Sequence, residues 1–177
     1  MPEHIHCPLC GADDAVAFLP STLQSDQAST WAPYACTSSG YGRHGPIVRC
    51  QQCGLVYANP RPPASDVMDK YEAVKDPLYV EERAGRILTF EHHLKPLERV
   101  TGPARGRSLL DVGAYTGVFV GIAAEHGWDA WGLEPSAWAV AQARAQGRQM
   151  LEGTLEDADI QPERFRVVTM WDVIEHV

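Results

Sequence analysis

Four cysteines fall into two C-x-x-C pairs, Cys7-Pro8-Leu9-Cys10-Gly11 and Cys50-Gln51-Gln52-Cys53-Gly54. Such a turn lets two thiolates meet one tetrahedral ion, and the glycine after the second cysteine permits the tight turn around it. Cys7, Cys10, Cys50 and Cys53 together complete the ligand set of a closed, structural zinc site. A redox pair or buried thiols are the alternatives. A second set of polar residues interrupts apolar runs. Asp111-Val112-Gly113-Ala114-Tyr115-Thr116-Gly117 closes one run, and Glu134-Pro135-Ser136 closes another about twenty residues further on. Asp111 can accept from a ligand ammonium group, directly or through water, and Glu134 can take both hydroxyls of a ribose. Gly113 lets the backbone approach a ligand, and Gly117 allows tight entry into a helix. A dinucleotide loop would read G-x-G-x-x-G, but here the middle glycine is Tyr115 and an acid precedes the loop. Both changes disfavour a diphosphate and favour a zwitterionic, nucleoside-like ligand.

These residues need strands and helices to hold them. The spacing predicts a strand over Ser108–Val112, a helix from Gly117 to His126, and a strand over Ala130–Leu133. A helix capped by Ser136 then runs to Gln146, followed by strands at Gln149–Leu151 and Arg166–Met170. That alternation implies an α/β fold with a Rossmann-like parallel sheet and right-handed crossovers. Upstream, Ser65 caps a helix beginning near Asp66. A longer helix spans Val80 to Leu94, with Ile87, Leu88, Leu94 and Leu97 on one side and Pro96 ending or kinking it. Before that, only Pro46–Arg49 and Leu55–Tyr57 read as strands in a loop-rich stretch that needs a staple. The division expected is a zinc-ribbon module over 1–60, a helical linker or lid over 61–104, and a Rossmann-like domain over 105–177. The chain stops at Val177, just after the fourth strand, so the expectation is an incomplete sheet whose open edge could self-associate.

A formal net charge of −8 disfavours a broad nucleic-acid surface, which needs clustered Lys and Arg. No apolar run is long enough for a transmembrane helix, and Met1-Pro2-Glu3-His4 does not open a signal peptide, so the cytoplasm is the expected location. Five cysteines make an odd set, which fits metal binding in a reducing compartment better than a secreted disulfide framework. Cys36 is the one left over, and His4, His6 and His44 are not needed as ligands.

The segment from Asp111 to Gly117 resembles motif I of the class I S-adenosylmethionine-dependent methyltransferases, an acid followed by G-x-G-x-G. The resemblance covers about Arg107 to the end. It implies the first half of that fold, with Asp111, Gly113, Ala114, Tyr115, Gly117, Glu134 and Pro135 around the cofactor. Glu152-Gly153-Thr154-Leu155-Glu156-Asp157 is similar to the adenine-contacting loop; the family often has an acid where Thr154 stands, and the N–H of Leu155 is left to reach adenine. The run Phe165 to Val177 resembles the fourth-strand motif, which implies that Trp171 and Asp172 lie beside the methionine part of the cofactor. His176 is then the first choice for a base and Glu175 the second, because an imidazole titrates near neutrality and that strand end faces the methyl group. His92 and His93 are expected at the surface, and Tyr71 and Tyr79 as packing residues or part of a lid.

The segment Cys50 to Pro62 is similar to the zinc-ribbon leader of a bacterial methyltransferase subgroup, whose members often act in sugar, polysaccharide or secondary-metabolite pathways. Three readings follow: methyl transfer to a small-molecule acceptor, RNA modification with the ribbon gripping substrate, or a non-catalytic binding module. The ribbon offers only Arg43, Arg49 and Arg61 as positive groups, which weighs against the second.

Overall fold

A computed structural model describes residues 2–23, 36–37 and 42–174. The chain divides into two compact units, Met1–Tyr71 and Glu72–Val177. Strands β1 (Ala15–Leu19), β2 (Ile47–Cys50) and β3 (Val56–Ala58) form an antiparallel sheet in the order β1-β2-β3. β1 is absent from the sequence reading: all five of its residues are exposed, so no half-buried alternation marks it. The only buried apolar side chains among the described residues of this unit are Cys7 and Cys50.

Helix α1 (Ala64–Ala73) carries the chain across the boundary between the units. It begins earlier than expected. Val67 N–H already donates to the Pro63 carbonyl, so Ser65 sits inside the first turn rather than capping it.

The second unit opens with α2 (Pro77–Glu81), capped by the Asp76 side chain, and α3 (Arg83–Thr101). α3 starts later than expected and does not end at Pro96. That proline lies on the exposed face, where the carbonyl it leaves without a donor can take water, and the helix stops only at Gly102. The expected apolar side needs one correction: Leu88 is 69% exposed, and Phe90 takes its place with Ile87, Leu94 and Leu97 against the core.

Strands β4 (Ser108–Val112), β5 (Asp129–Glu134), β6 (Gln149–Glu152) and β7 (Val167–Met170) form a parallel sheet in the order β6-β5-β4-β7. Central β4 is buried from Leu109 to Val112, as a strand covered on both faces should be. α4 (Val118–Glu125) is apolar almost all round and supplies Phe119, Val120 and Ile122 to the core. α5 (Ala137–Arg144) starts where Ser136 Oγ accepts from the Ala139 N–H, and Gly147 follows it in a left-handed conformation. β7 pairs on one side only among the described residues. Among those residues no helix is long and apolar enough to cross a membrane.

Candidate functional site

The two cysteine turns are built alike. Cys7 N–H donates to Ala12 O while Gly11 N–H returns to Cys7 O; Cys50 N–H donates to Leu55 O while Gly54 N–H returns to Cys50 O. Gly11 and Gly54 sit at φ 76° and 79°, where a side chain would be strained. The four sulfurs lie within 4.8 Å of one another, with Cys7–Cys53 at 3.5 Å and Cys10–Cys50 at 3.6 Å. A zinc ion with four thiolates at about 2.3 Å sets sulfur–sulfur edges of about 3.8 Å, so the cage fits. Both of these separations are far longer than a disulfide bond, about 2.05 Å, and all four thiols are free. Burial opposes a Cys7 thiolate, but the amides of Cys10 and Leu9 outweigh it and draw the thiol down to about 7. The Ala12 amide favours a Cys10 thiolate, yet burial and the neighbouring sulfurs push that thiol up to about 12. Without a cation the cluster cannot carry four negative charges.

The second site forms at the carboxyl ends of the parallel strands. After β4 the chain turns through Gly113 (φ 71°), Tyr115 (φ 47°) and Gly117 (φ 67°) into α4. Gly113 and Ala114 N–H both donate to Leu133 O, which lashes the turn to β5. Glu134 closes it: Oε2 accepts from Tyr115 N–H at 2.9 Å, and Oε1 from Ser136 N–H at 2.9 Å. Gly153 N–H donates to Glu134 O, which brings the loop of Thr154 and Leu155 to the same strand end. A Cβ on Gly113 would stand 2.5 Å from Val173 Cγ2, so the segment after β7 also reaches the turn.

Asp111 is buried beneath this turn, and Thr169 Oγ1 on β7 donates to its Oδ1 at 2.7 Å. Burial pushes Asp111 up to about 7, against the Thr169 hydroxyl and helped by the nearby Glu134 charge. Glu134 is raised by burial too, with the Ser136 and Tyr115 amides opposing. Thr169 was not singled out from sequence; its place opposite Asp111 in the parallel register is a property of the folded sheet.

The structure therefore gathers Asp111, Gly113, Ala114, Tyr115, Gly117 and Glu134, with Pro135 half-buried beside them. Thr154 turns back on its own loop, donating to Asp157 Oδ2 at 2.6 Å, while Leu155 stays exposed. Trp171 rests against Phe119 of α4 at 5.2 Å between ring centroids, and Asp172 follows with φ 54°. His92 is exposed and His93 is half-buried, its ring stacked on Trp171 at 4.9 Å. Tyr79 packs edge-on against Tyr115 at 4.6 Å, under the Arg86 guanidinium. Glu175 and His176 lie outside the described residues.

A four-stranded parallel sheet, a glycine turn after its central strand and an acid at the end of the next strand define the class I methyltransferase type of Rossmann-like fold. A family model described as a methyltransferase domain matches residues 79–177, more than half of the chain, and the chain belongs to that family. Among solved structures, the sugar N-methyltransferase of Streptoalloteichus sp ATCC 53650 is 24% identical over 55% of this chain and 40% of its own, with a TM-score of 0.45. The magnesium protoporphyrin IX methyltransferase of Synechocystis PCC 6803, solved with bound SAH, is 18% identical over 62% of this chain and 58% of its own, with a TM-score of 0.45. The chain thus spans 40% to 58% of the length of these two proteins. No curated protein sequence matches it.

Proposed function

We propose that this protein transfers a methyl group from S-adenosylmethionine to a small-molecule acceptor and holds one structural zinc ion in its cysteine cage. The observation that carries the reading is the Glu134 carboxylate, fixed at the end of β5 by two backbone amides beside the Gly113–Gly117 turn. Each oxygen spends one lone pair on an amide and keeps another for a ribose hydroxyl. Asp111 beneath the turn is the partner for the ammonium of the methionine part, and the Leu155 N–H for adenine. Trp171 and Asp172 flank the same strand ends.

When bound, the sulfonium of the cofactor supplies both an activated methyl carbon and a neutral leaving group. The chain then has to hold the acceptor in line with that carbon and take its proton. His176 is assigned the proton, with Glu175 second. The net charge of −8 and the three arginines of the first module favour a small acceptor over RNA. One relative is described as acting on a sugar and the other on a porphyrin, both small molecules.

Titration calorimetry tests the assignment. The wild-type chain is expected to bind S-adenosylmethionine, Glu134→Gln to bind about tenfold or more weakly, and Glu134→Ala to lose binding with its circular dichroism spectrum retained. Equal affinity in all three overturns the cofactor assignment.

A further inference from the structure

Behind the glycine turn runs a groove along α4, made by Gly117 and Gly121 one turn apart. The Arg148 side chain lies in it. A Cβ on Gly117 would stand 3.1 Å from Arg148 Cδ, and one on Gly121 would stand 3.0 Å from Arg148 Nε. At the end of the groove Arg148 Nη1 donates to the carbonyl of buried Thr116, the only hydrogen-bond acceptor of this guanidinium among the described residues.

Holding a cation there has a cost. Burial and the Arg83 charge both work against the Arg148 guanidinium, and Glu125 and Tyr79 only partly compensate. A lysine-length or apolar chain would fill the groove with less expense. What the arginine adds is its anchor at Thr116, which lies between Tyr115 at φ 47° and Gly117 at φ 67°. A non-glycine residue in that region costs on the order of 1–3 kcal/mol and persists only where its surroundings over-determine it. The amide side of the turn is held by Leu133 O and the Glu134 carboxylate. Of its carbonyls, that of Ala114 accepts from Gly117 N–H and that of Thr116 is held by Arg148.

We infer that Arg148 is a positioning residue for the cofactor turn, laid along α4 so that its guanidinium fixes the Thr116 carbonyl and, through it, the Gly113–Gly117 backbone. This rests on the reading of that turn as the S-adenosylmethionine loop. It does not touch the ligand.

Arg148→Met separates packing from anchoring, because methionine fills the groove without a donor. It is expected to keep the wild-type melting temperature to within a few degrees, about tenfold faster amide exchange at Gly113 and Gly117, and about tenfold weaker binding of S-adenosylmethionine. Arg148→Lys, which keeps one donor, is expected to recover part of both losses. If Arg148→Met does not fold, Arg148→Gln, too short to reach Thr116, is read in the same way. Wild-type exchange and affinity in the donor-less variant would show that the side chain merely fills space and overturn the inference. If the wild-type chain itself does not bind the cofactor, the loop reading fails, while the exchange rates still decide the role of Arg148.

Discussion

The cysteine cage and the carboxylate pair gather charged ligand atoms in opposite ways. Around Asp111 and Glu134 the chain supplies its own partners, one hydroxyl and two amides, and beneath them lies a core of Leu109, Phe119, Leu133 and Val140. Around the four sulfurs it supplies scattered amides, and among the described residues of the first unit only Cys7 and Cys50 are buried apolar side chains. The carboxylates of the α/β unit find their partners within the chain itself. On the proposed reading the ribbon needs its cation to fold, because the buried apolar side chains among its described residues offset little of the conformational entropy of ordering its loops.

Metal removal is the largest test of that contrast. Structural zinc in such modules is worth about 10–16 kcal/mol. Purified protein is expected to hold one zinc per chain by elemental analysis, and Cys50→Ser to hold none. Hydrogen exchange on the chelated chain should show β1–β3 unprotected while β4 and β5 keep their protection. Persistent protection of β2 in metal-free protein would mean that the ribbon folds without an ion, and the contrast would collapse.

The carboxylate side is tested by pH. Asp111 is raised from an ordinary value near 3.8 to about 7, so the folded chain keeps a proton that the unfolded chain releases. Its contribution is therefore full below about pH 4 and is lost as pH rises towards 7, by about 4 kcal/mol at the upper bound. Urea unfolding between pH 5 and 8 should show this decline, and Asp111→Asn should flatten it. Thr169→Val removes the donor that favours the ionised form and should carry the decline to higher pH. A wild-type profile as flat as that of Asp111→Asn would show that the carboxylate is not held in the low-dielectric setting described.

Gly132→Ala asks how tightly the turn is seated. Its Cβ would stand 2.7 Å from Ala114 Cβ and 2.6 Å from Met150 Sδ. The methionine can swing away, but Ala114 cannot move without the turn. Overpacking of this kind costs about 1–3 kcal/mol, measurable by denaturant unfolding, and loosens the amide of Tyr115 from Glu134. No loss of stability would mean that the turn yields easily and is less preorganised than the carboxylate bonds suggest.

How far the sequence reached follows the same division. The cysteine cluster was legible because two C-x-x-C-G turns, though 40 residues apart, leave few other uses, and Asp111 and Glu134 because each ends an apolar run. Leu88 misled because an apolar residue next to Ile87 reads as core until the helical phase is fixed, and Phe90 sets that phase. Pro96 does not end α3, because a breaker on a solvent face is tolerated. Thr169 and Arg148 could not be read at all. Each acts through a residue 58 or 32 positions away that only the folded sheet brings near.

The smallest effect concerns which atoms make the cage. His6 lies one residue before Cys7, but its ring points to Asp13 at 3.9 Å across an exposed surface, and His44 Nδ1 is engaged with Gly45 O at 2.7 Å. An exposed pair of that kind is worth well under about 1 kcal/mol. His6→Ala should therefore keep one zinc per chain and shift the unfolding midpoint by no more than about 0.5 kcal/mol. A variant that lost its metal would make an imidazole a ligand. The contrast between an all-thiolate cage that waits for a cation and carboxylates satisfied from within would then need redrawing, because a neutral nitrogen in the set lowers the charge the ion must balance.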